Sequence, residues 1–155
     1  MYIDRGTFKE HFSTLLPLFE QHWKEIGMVG SNGLELKVDS DVYLKLEEQG
    51  LWLGMGIRQD DGEIIAYLSI FIYGHHHHKG VNFAMTDCFF MNPRYRSFAS
   101  FKAVLKLFKE AEKVLKSEFN VSYIQLTCSI SNKLGFLAES LGFKESDIMY
   151  LKKVM

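Results

Sequence analysis

Asp87 is the one charged residue in the largely apolar run Phe83–Met91. A carboxylate on such a strand must be partnered. It orients a nearby histidine or takes a proton through water, or else it makes a structural hydrogen bond to the backbone of the first helix. Just beyond it, Pro93-Arg-Tyr-Arg-Ser-Phe-Ala-Ser-Phe101 makes a tight basic turn that runs into an amphipathic helix. Serial backbone N–H groups at a helix N-terminus, with Arg94 and Arg96 alongside, suit a phosphate or pyrophosphate; the plainer reading is two solvated turn charges. Four consecutive histidines, His75 to His78, raise the question of a metal. Neighbours on an extended turn point to opposite faces, so at most two could share one ion, and no Cys or carboxylate set completes a site. The expectation is therefore no metal. Histidine titrates near neutral pH, so His77 or His78 could instead serve as a base.

The elements that would hold these groups follow from periodicity. Met1 to Asp4 is a short strand. Thr7-x-x-Glu10 is a capping box, and Phe8, Phe12, Leu15, Leu16, Phe19, Trp23 and Ile26 recur at helical spacing. Pro17 is expected to kink that helix or split it in two. A second helix is read from about Asp41 to Gln49. Leu51–Ile57 and Ile64–Tyr73 are strands joined by a turn at Gln59–Gly62, and Val81–Met91 completes an antiparallel meander. Ser100–Glu118 is the clearest helix, with Phe101, Val104, Leu105, Phe108, Ala111 and Leu115 on one face. A strand at Val121–Ser129, a short helix at Asn132–Leu141 and a last strand at Ile148–Val154 follow. The order β-α-α-β-β-β-α-β-α-β predicts one α/β (α+β) domain over residues 1–155, a mixed and mostly antiparallel sheet of six to seven strands with helices on both faces.

Composition narrows the class. The 155 residues, 47% apolar and 24% charged, are those of an ordinary globule. A formal net charge of −1 gives no basic excess for nucleic acid. No apolar run is long enough to span a membrane and no signal peptide opens the chain. Cys88 and Cys128 are lone strand residues without metal-like spacing, which fits a reducing compartment. The cytoplasm is the expected location.

The segment from Asp87 to Leu105 resembles motif A of the GNAT acyl-CoA N-acetyltransferases, where a strand ending in Pro-x-Tyr-Arg leads through a glycine-rich loop into a helix. Pro93, Tyr95 and Arg96 are in register. Leu141-Gly142-Phe143 is similar to the close of the family's late helix, and the element order looks like the GNAT fold over nearly the whole chain. Glu20–Glu25, the Asp41-x-Tyr43-x-x-Leu46-x-x-x-Gly50 stretch and the histidine turn are similar to a branch often found in bacteriophage genomes. The resemblance implies acetyl-CoA as co-substrate and a primary amine, small or on a protein, as acceptor. It implies that the strand ending at Phe90 and Met91 splays from its neighbour, that its edge pairs with the pantetheine arm, and that backbone N–H groups of Arg96, Ser97, Phe98, Ala99, Ser100 and Phe101 hold the pyrophosphate. Asn132 would touch the cofactor arm. The amine would enter between the first two helices and the histidine turn, with His22, Trp23, Glu25 and His77 at its wall and Asp87 or His78 as base. By analogy, a homodimer is implied.

Two departures from the family pattern stand out. Both loop glycines are replaced, and Phe101 in the last position either crowds the diphosphate or turns into the core. The late helix carries Ala138 where the family often has the Tyr that protonates the leaving thiolate; Tyr150 is the substitute, with Ser140 behind it. A second reading, a GNAT fold that no longer catalyses and serves as a binding or virion-associated module, therefore stands beside the enzyme.

Overall fold

The computed structural model describes residues 1–26, 35–127 and 135–146. Their elements are β1 (Tyr2–Asp4), α1 (Phe8–Ile26), α2 (Ser40–Glu48), β2 (Trp52–Arg58), β3 (Ile64–Gly74), β4 (Asn82–Met91), a 3₁₀ turn at Pro93–Tyr95, α3 (Phe98–Phe119), β5 (Val121–Gln125) and α4 (Gly135–Ser140). The expected capping box forms reciprocally: Glu10 N–H donates to Thr7 Oγ1 at 3.2 Å and Thr7 N–H to Glu10 Oε2 at 3.0 Å. Pro17 does not split α1, which runs unbroken through it. Ser13, whose carbonyl loses its partner, and Pro17 itself are both exposed, so water can serve that carbonyl. Ser97 caps α3 through its side chain on Ser100 N–H, which moves the helix start forward to Phe98.

The described strands form one five-stranded sheet in the order β1-β2-β3-β4-β5, fewer than the six to seven expected. The last expected strand, Ile148–Val154, falls outside the described residues. The first four strands pair antiparallel and β5 lies parallel to β4, reached through α3. Two layers cover the sheet. Ala66, Leu68, Ile70 and Ile72 of β3 share a core with Val104, Leu107, Phe108, Ala111 and Leu115 of α3 and Leu137 of α4. Ile64, Tyr67 and Phe90 instead pack with Leu15 and Leu18 of α1. No helix among the described residues is long and apolar enough to cross a membrane.

Two irregularities in β4 shape the region around Asp87. Ser69 lies opposite Cys88 while Ile70 lies opposite Thr86, so Asp87 is an extra residue, a β-bulge. Pairing with β5 runs from Asn82↔Val121 to Met85↔Gln125. It ends on Thr127, which donates from N–H to Thr86 Oγ1 at 3.0 Å and from its hydroxyl to Thr86 O at 2.9 Å. Beyond Thr86 the β5-side edge of β4 has no strand partner among the described residues.

Candidate active site

Where β4 loses its neighbour, a cleft of about 480 Å³ opens, lined among others by His22, Phe90, Met91, Arg96, Phe101 and Phe136. Asn92 N–H donates to Ile65 O at 2.9 Å, which fixes the side of β4 that faces β3. Alternation along the strand then turns the backbone N–H and C=O of Phe89 and Met91 into the cleft. The Met91 carbonyl is taken by Arg96, whose Nε and Nη2 reach it at 3.0 and 2.8 Å. Both backbone groups of Phe89, and the N–H of Met91, have no partner among the described residues.

At the cleft's outer end the α3 N-terminus supplies donors. Arg96 N–H is spent on Pro93 O, Ser100 N–H on Ser97 Oγ and Phe101 N–H on Ser97 O. The N–H groups of Ser97, Phe98 and Ala99 have no partner among the described residues. These three lie at the positive end of a 22-residue helix, a geometry that suits an anion. Ser97 keeps extended backbone (φ −142°) and Phe98 turns its side chain out to solvent, 78% exposed. The loop therefore forms without a glycine. Phe101 stacks on Phe136 with ring centroids 5.6 Å apart, on the cleft wall.

Arg96 is placed differently from a free phosphate ligand. Its guanidinium forms a bidentate pair with Glu25 of α1 at 2.8 and 2.7 Å and lies over the Phe90 ring at 5.4 Å. Glu25 and Arg96 thus pin the end of α1 to the turn before α3. His22, one helical turn earlier, stacks on the same Phe90 ring at 4.9 Å and meets Tyr67 Oη through Nδ1 at 2.7 Å. Burial pushes the His22 pKa below its ordinary value, against smaller upward pulls from Glu25 and Asp87. Trp23 is half-buried and is not among the residues lining the cleft.

Asp87 is the centre of a polar cluster on the α1–α2 side of the sheet. Its Oδ2 accepts from Tyr43 Oη of α2 at 2.9 Å, from Ser69 Oγ of β3 at 2.9 Å and from the Cys88 thiol at 3.6 Å. Ser69 in turn accepts from Trp52 Nε1 at 2.8 Å. Oδ1 has no partner among the described residues. Trp52 reaches Ser69 by lying flat over Gly54, where any Cβ would stand 2.2 Å from the indole. Phe8, fully buried, stacks on Tyr43 at 4.8 Å and meets Trp52 edge-on at 5.5 Å, which fixes both rings. Burial, then the Asp87 charge, raises the pKa of Tyr43 and of Cys88. Both effects disfavour a Cys88 thiolate, the nucleophilic form.

The histidine turn lies elsewhere. His75 packs on Phe83 at 4.9 Å, His78 on His75 at 4.7 Å, and His77 N–H donates to His75 Nδ1 at 3.1 Å. His77 and His78 are exposed beyond the start of β4. Asp87 stands five positions past Asn82, about 17 Å along the strand at ~3.3 Å per residue. The structure brings Phe90, Met91, His22, Glu25, Arg96, Ser97 and Phe101 around the cleft, puts Asp87 on the α1–α2 side of the sheet outside its lining, and leaves the two histidines apart from both. Asn132 and Tyr150 lie outside the described residues. Sequence reasoning passed over Tyr43, Trp52, Tyr67 and Ser69 as site residues. Ser69, a lone small polar residue in the apolar run Ile64–Tyr73, was the available signal.

Solved structures share this fold. An aminoglycoside acetyltransferase from an uncultured soil metagenomic sample, solved with sisomicin, superposes with a TM-score of 0.74 at 14% identity, over 99% of this chain and 96% of that one. A ribosomal-protein-alanine N-acetyltransferase from Brucella melitensis biovar Abortus 2308 gives 0.68 at 12% identity, over the whole of both chains. An aminoglycoside 6'-N-acetyltransferase from Acinetobacter haemolyticus gives 0.63 at 16%, over 100% of this chain and 99% of the other. The fold is the GNAT fold. No family model matches the sequence, and no curated protein matches it either.

Proposed function

We propose that the chain is an acetyl-CoA-dependent N-acetyltransferase that acts by direct attack of a primary amine on the thioester. The observation that carries this reading is the cleft beside a strand edge that, with three N–H groups at its end, has no partner among the described residues. Phe89 and Met91 would pair with the pantetheine arm as an added strand does, and Ser97, Phe98 and Ala99 would hold the pyrophosphate. Arg94, exposed and without an ion-pair partner among the described residues, would add charge from the rim. Phe101 and Phe136 give the arm an apolar wall. Asn132 and Tyr150 keep the roles the family resemblance implies, an arm contact and an acid.

The amine would arrive on the α1–α2 side, where Asp87 presents an Oδ1 that has no partner among the described residues. Held by two hydroxyl donors on Oδ2, that carboxylate is oriented to accept the proton that the neutral amine loses as its nitrogen attacks the thioester. His77 and His78, outside this region, would serve only at the rim of the acceptor entrance. The choice of amine is open in chemistry: two of the structural neighbours are aminoglycoside acetyltransferases and one is a ribosomal-protein-alanine N-acetyltransferase. A second reading, a GNAT fold that no longer catalyses and serves as a binding module, is favoured by Arg96 being committed to Glu25 instead of lying free at the phosphate loop.

The test is thiol release from acetyl-CoA in the presence of sisomicin, spermidine, a lysine peptide and a peptide with N-terminal alanine. Amine-dependent thiol release with a matching acetylated product is the expected outcome. Tight acetyl-CoA binding with no release for any amine would favour the binding module.

A further inference from the structure

Arg96 joins two walls of the cleft. From the turn before α3 its side chain reaches back to β4, with Nε and Nη2 donating to Met91 O at 3.0 and 2.8 Å. The same guanidinium meets Glu25 in the last turn of α1, Nη1 donating to Oε1 at 2.8 Å and Nη2 to Oε2 at 2.7 Å. Its carbon lies over the Phe90 ring, 5.4 Å from the centroid. Glu25, Phe90, Met91 and Arg96 all line the cleft. One side chain therefore bridges the end of α1 and the strand edge.

The bond to Met91 O has the larger consequence. An extended ligand that adds to a strand edge uses both the N–H and the C=O of each residue facing it. On this edge of β4 those residues are Phe89 and Met91. Of their four backbone groups, the Met91 carbonyl is the one with a partner among the described residues, and that partner is Arg96. A ligand arm can pair along the whole edge only after the guanidinium has let go.

The pair is placed so that it can let go. The Arg96 side chain is 44% exposed and that of Glu25 34%, so water screens both charges and their separation costs little. The backbone need not move, because Arg96 N–H is held by Pro93 O and rotation of the side chain is enough. Arg58 shows the opposite design. Only 16% exposed, it holds Asp4 of β1, His11 of α1 and Gly62 O at once, and it does not line the cleft.

Resting on the reading of the cleft as a cofactor site, we infer that Glu25 and Arg96 form a latch across the β4 edge, which the pantetheine arm of acetyl-CoA opens by taking the Met91 carbonyl. An amide N–H of the arm replaces the guanidinium as donor to that carbonyl. The displaced Arg96 is then a cation beside a ligand that bears a diphosphate, which offsets the lost pair with Glu25. Only the open fraction of molecules binds, so the closed latch weakens the apparent affinity by that fraction.

The experiment is calorimetric titration of acetyl-CoA into the wild type, Glu25→Gln, Arg96→Met and the double variant, with thermal denaturation to confirm that each is folded. Gln keeps the volume of Glu25 and removes its charge; Met can cap neither Met91 O nor Glu25. With Arg96 present, Glu25→Gln is expected to tighten binding by about 3- to 10-fold, the scale of a half-exposed ion pair. In the Arg96→Met background the same change should gain less, because no latch remains to be opened. If Glu25 acts only by repelling the cofactor's phosphates, the gain is as large or larger once Arg96 is gone. If the pair is a fixed pin, Glu25→Gln leaves binding unchanged or weaker. Either result overturns the latch and leaves the cofactor site standing. Acetyl-CoA binding to none of the four proteins at millimolar concentration removes the cofactor reading and the latch with it.

Discussion

Asp87→Asn is the substitution whose cost can be worked most closely from the geometry. Asn fits the same volume, and its amide oxygen can take the place of Oδ2. The Tyr43 and Ser69 hydroxyls, each 2.9 Å away, would then donate to a neutral acceptor instead of a carboxylate. A hydrogen bond to a charged group contributes about 1.5–3 kcal/mol and a neutral one about 0.5–1.5. Losing roughly 1–1.5 kcal/mol at each of two bonds gives a destabilisation of about 2–3 kcal/mol. The amide NH₂ falls where Oδ1 has no partner among the described residues, so it adds little repulsion. Chemical denaturation of both proteins at pH 7 reads the difference, and the same samples give the transfer rate, expected to fall by on the order of 10²-fold or more with the base removed. A stability change below about 0.5 kcal/mol, within the usual range of a surface substitution, would refute the view that these hydroxyls hold a charged Asp87. Unchanged transfer in a folded variant would refute its role as base.

Three further outcomes are expected from the same geometry. Phe98→Pro removes one free N–H at the first position of α3, where proline's fixed φ suits a helix; acetyl-CoA binding should weaken by about 1.5–3 kcal/mol, the value of a hydrogen bond to a charged group, with the melting temperature held, as calorimetry and thermal denaturation would show. Gly54→Ala puts a Cβ into the Trp52 ring and must break its bond to Ser69; a loss of about 1–3 kcal/mol is expected from forced repacking, read by denaturation with Trp fluorescence. Folding lowers the His22 pKa below 6.5, so between the two values the unfolded chain binds more protons and stability falls as pH drops below 6.5 towards the folded value. His22→Gln should flatten that part of the profile, checked by denaturation midpoints from about pH 5 to about pH 8, the range in which histidine titrates.

What the sequence made legible was local. The Thr7–Glu10 box, the turn at Gln59–Gly62 and the apolar stripe of α3 depend on residues within one or two turns of each other, and each appears where expected. That Asp87 needs partners follows from desolvation alone. Which partners it finds does not, because Tyr43 and Ser69 reach it across 44 and 18 residues of chain. The Glu25–Arg96 pair spans 71 residues and is invisible in a basic turn whose charges look free for phosphate. Missing glycines suggest a damaged loop; in the structure, with an extended Ser97 and an outward Phe98, three N–H groups have no partner among the described residues, without positive φ. The bulge has no signature at all, since an extra residue in a strand shows only against its partner.

The most direct test is calorimetric titration of acetyl-CoA into the intact protein. A micromolar dissociation constant, about −8 kcal/mol, that weakens in Phe98→Pro is the expected result. No heat of binding at millimolar acetyl-CoA would contradict the reading of the cleft as a cofactor site.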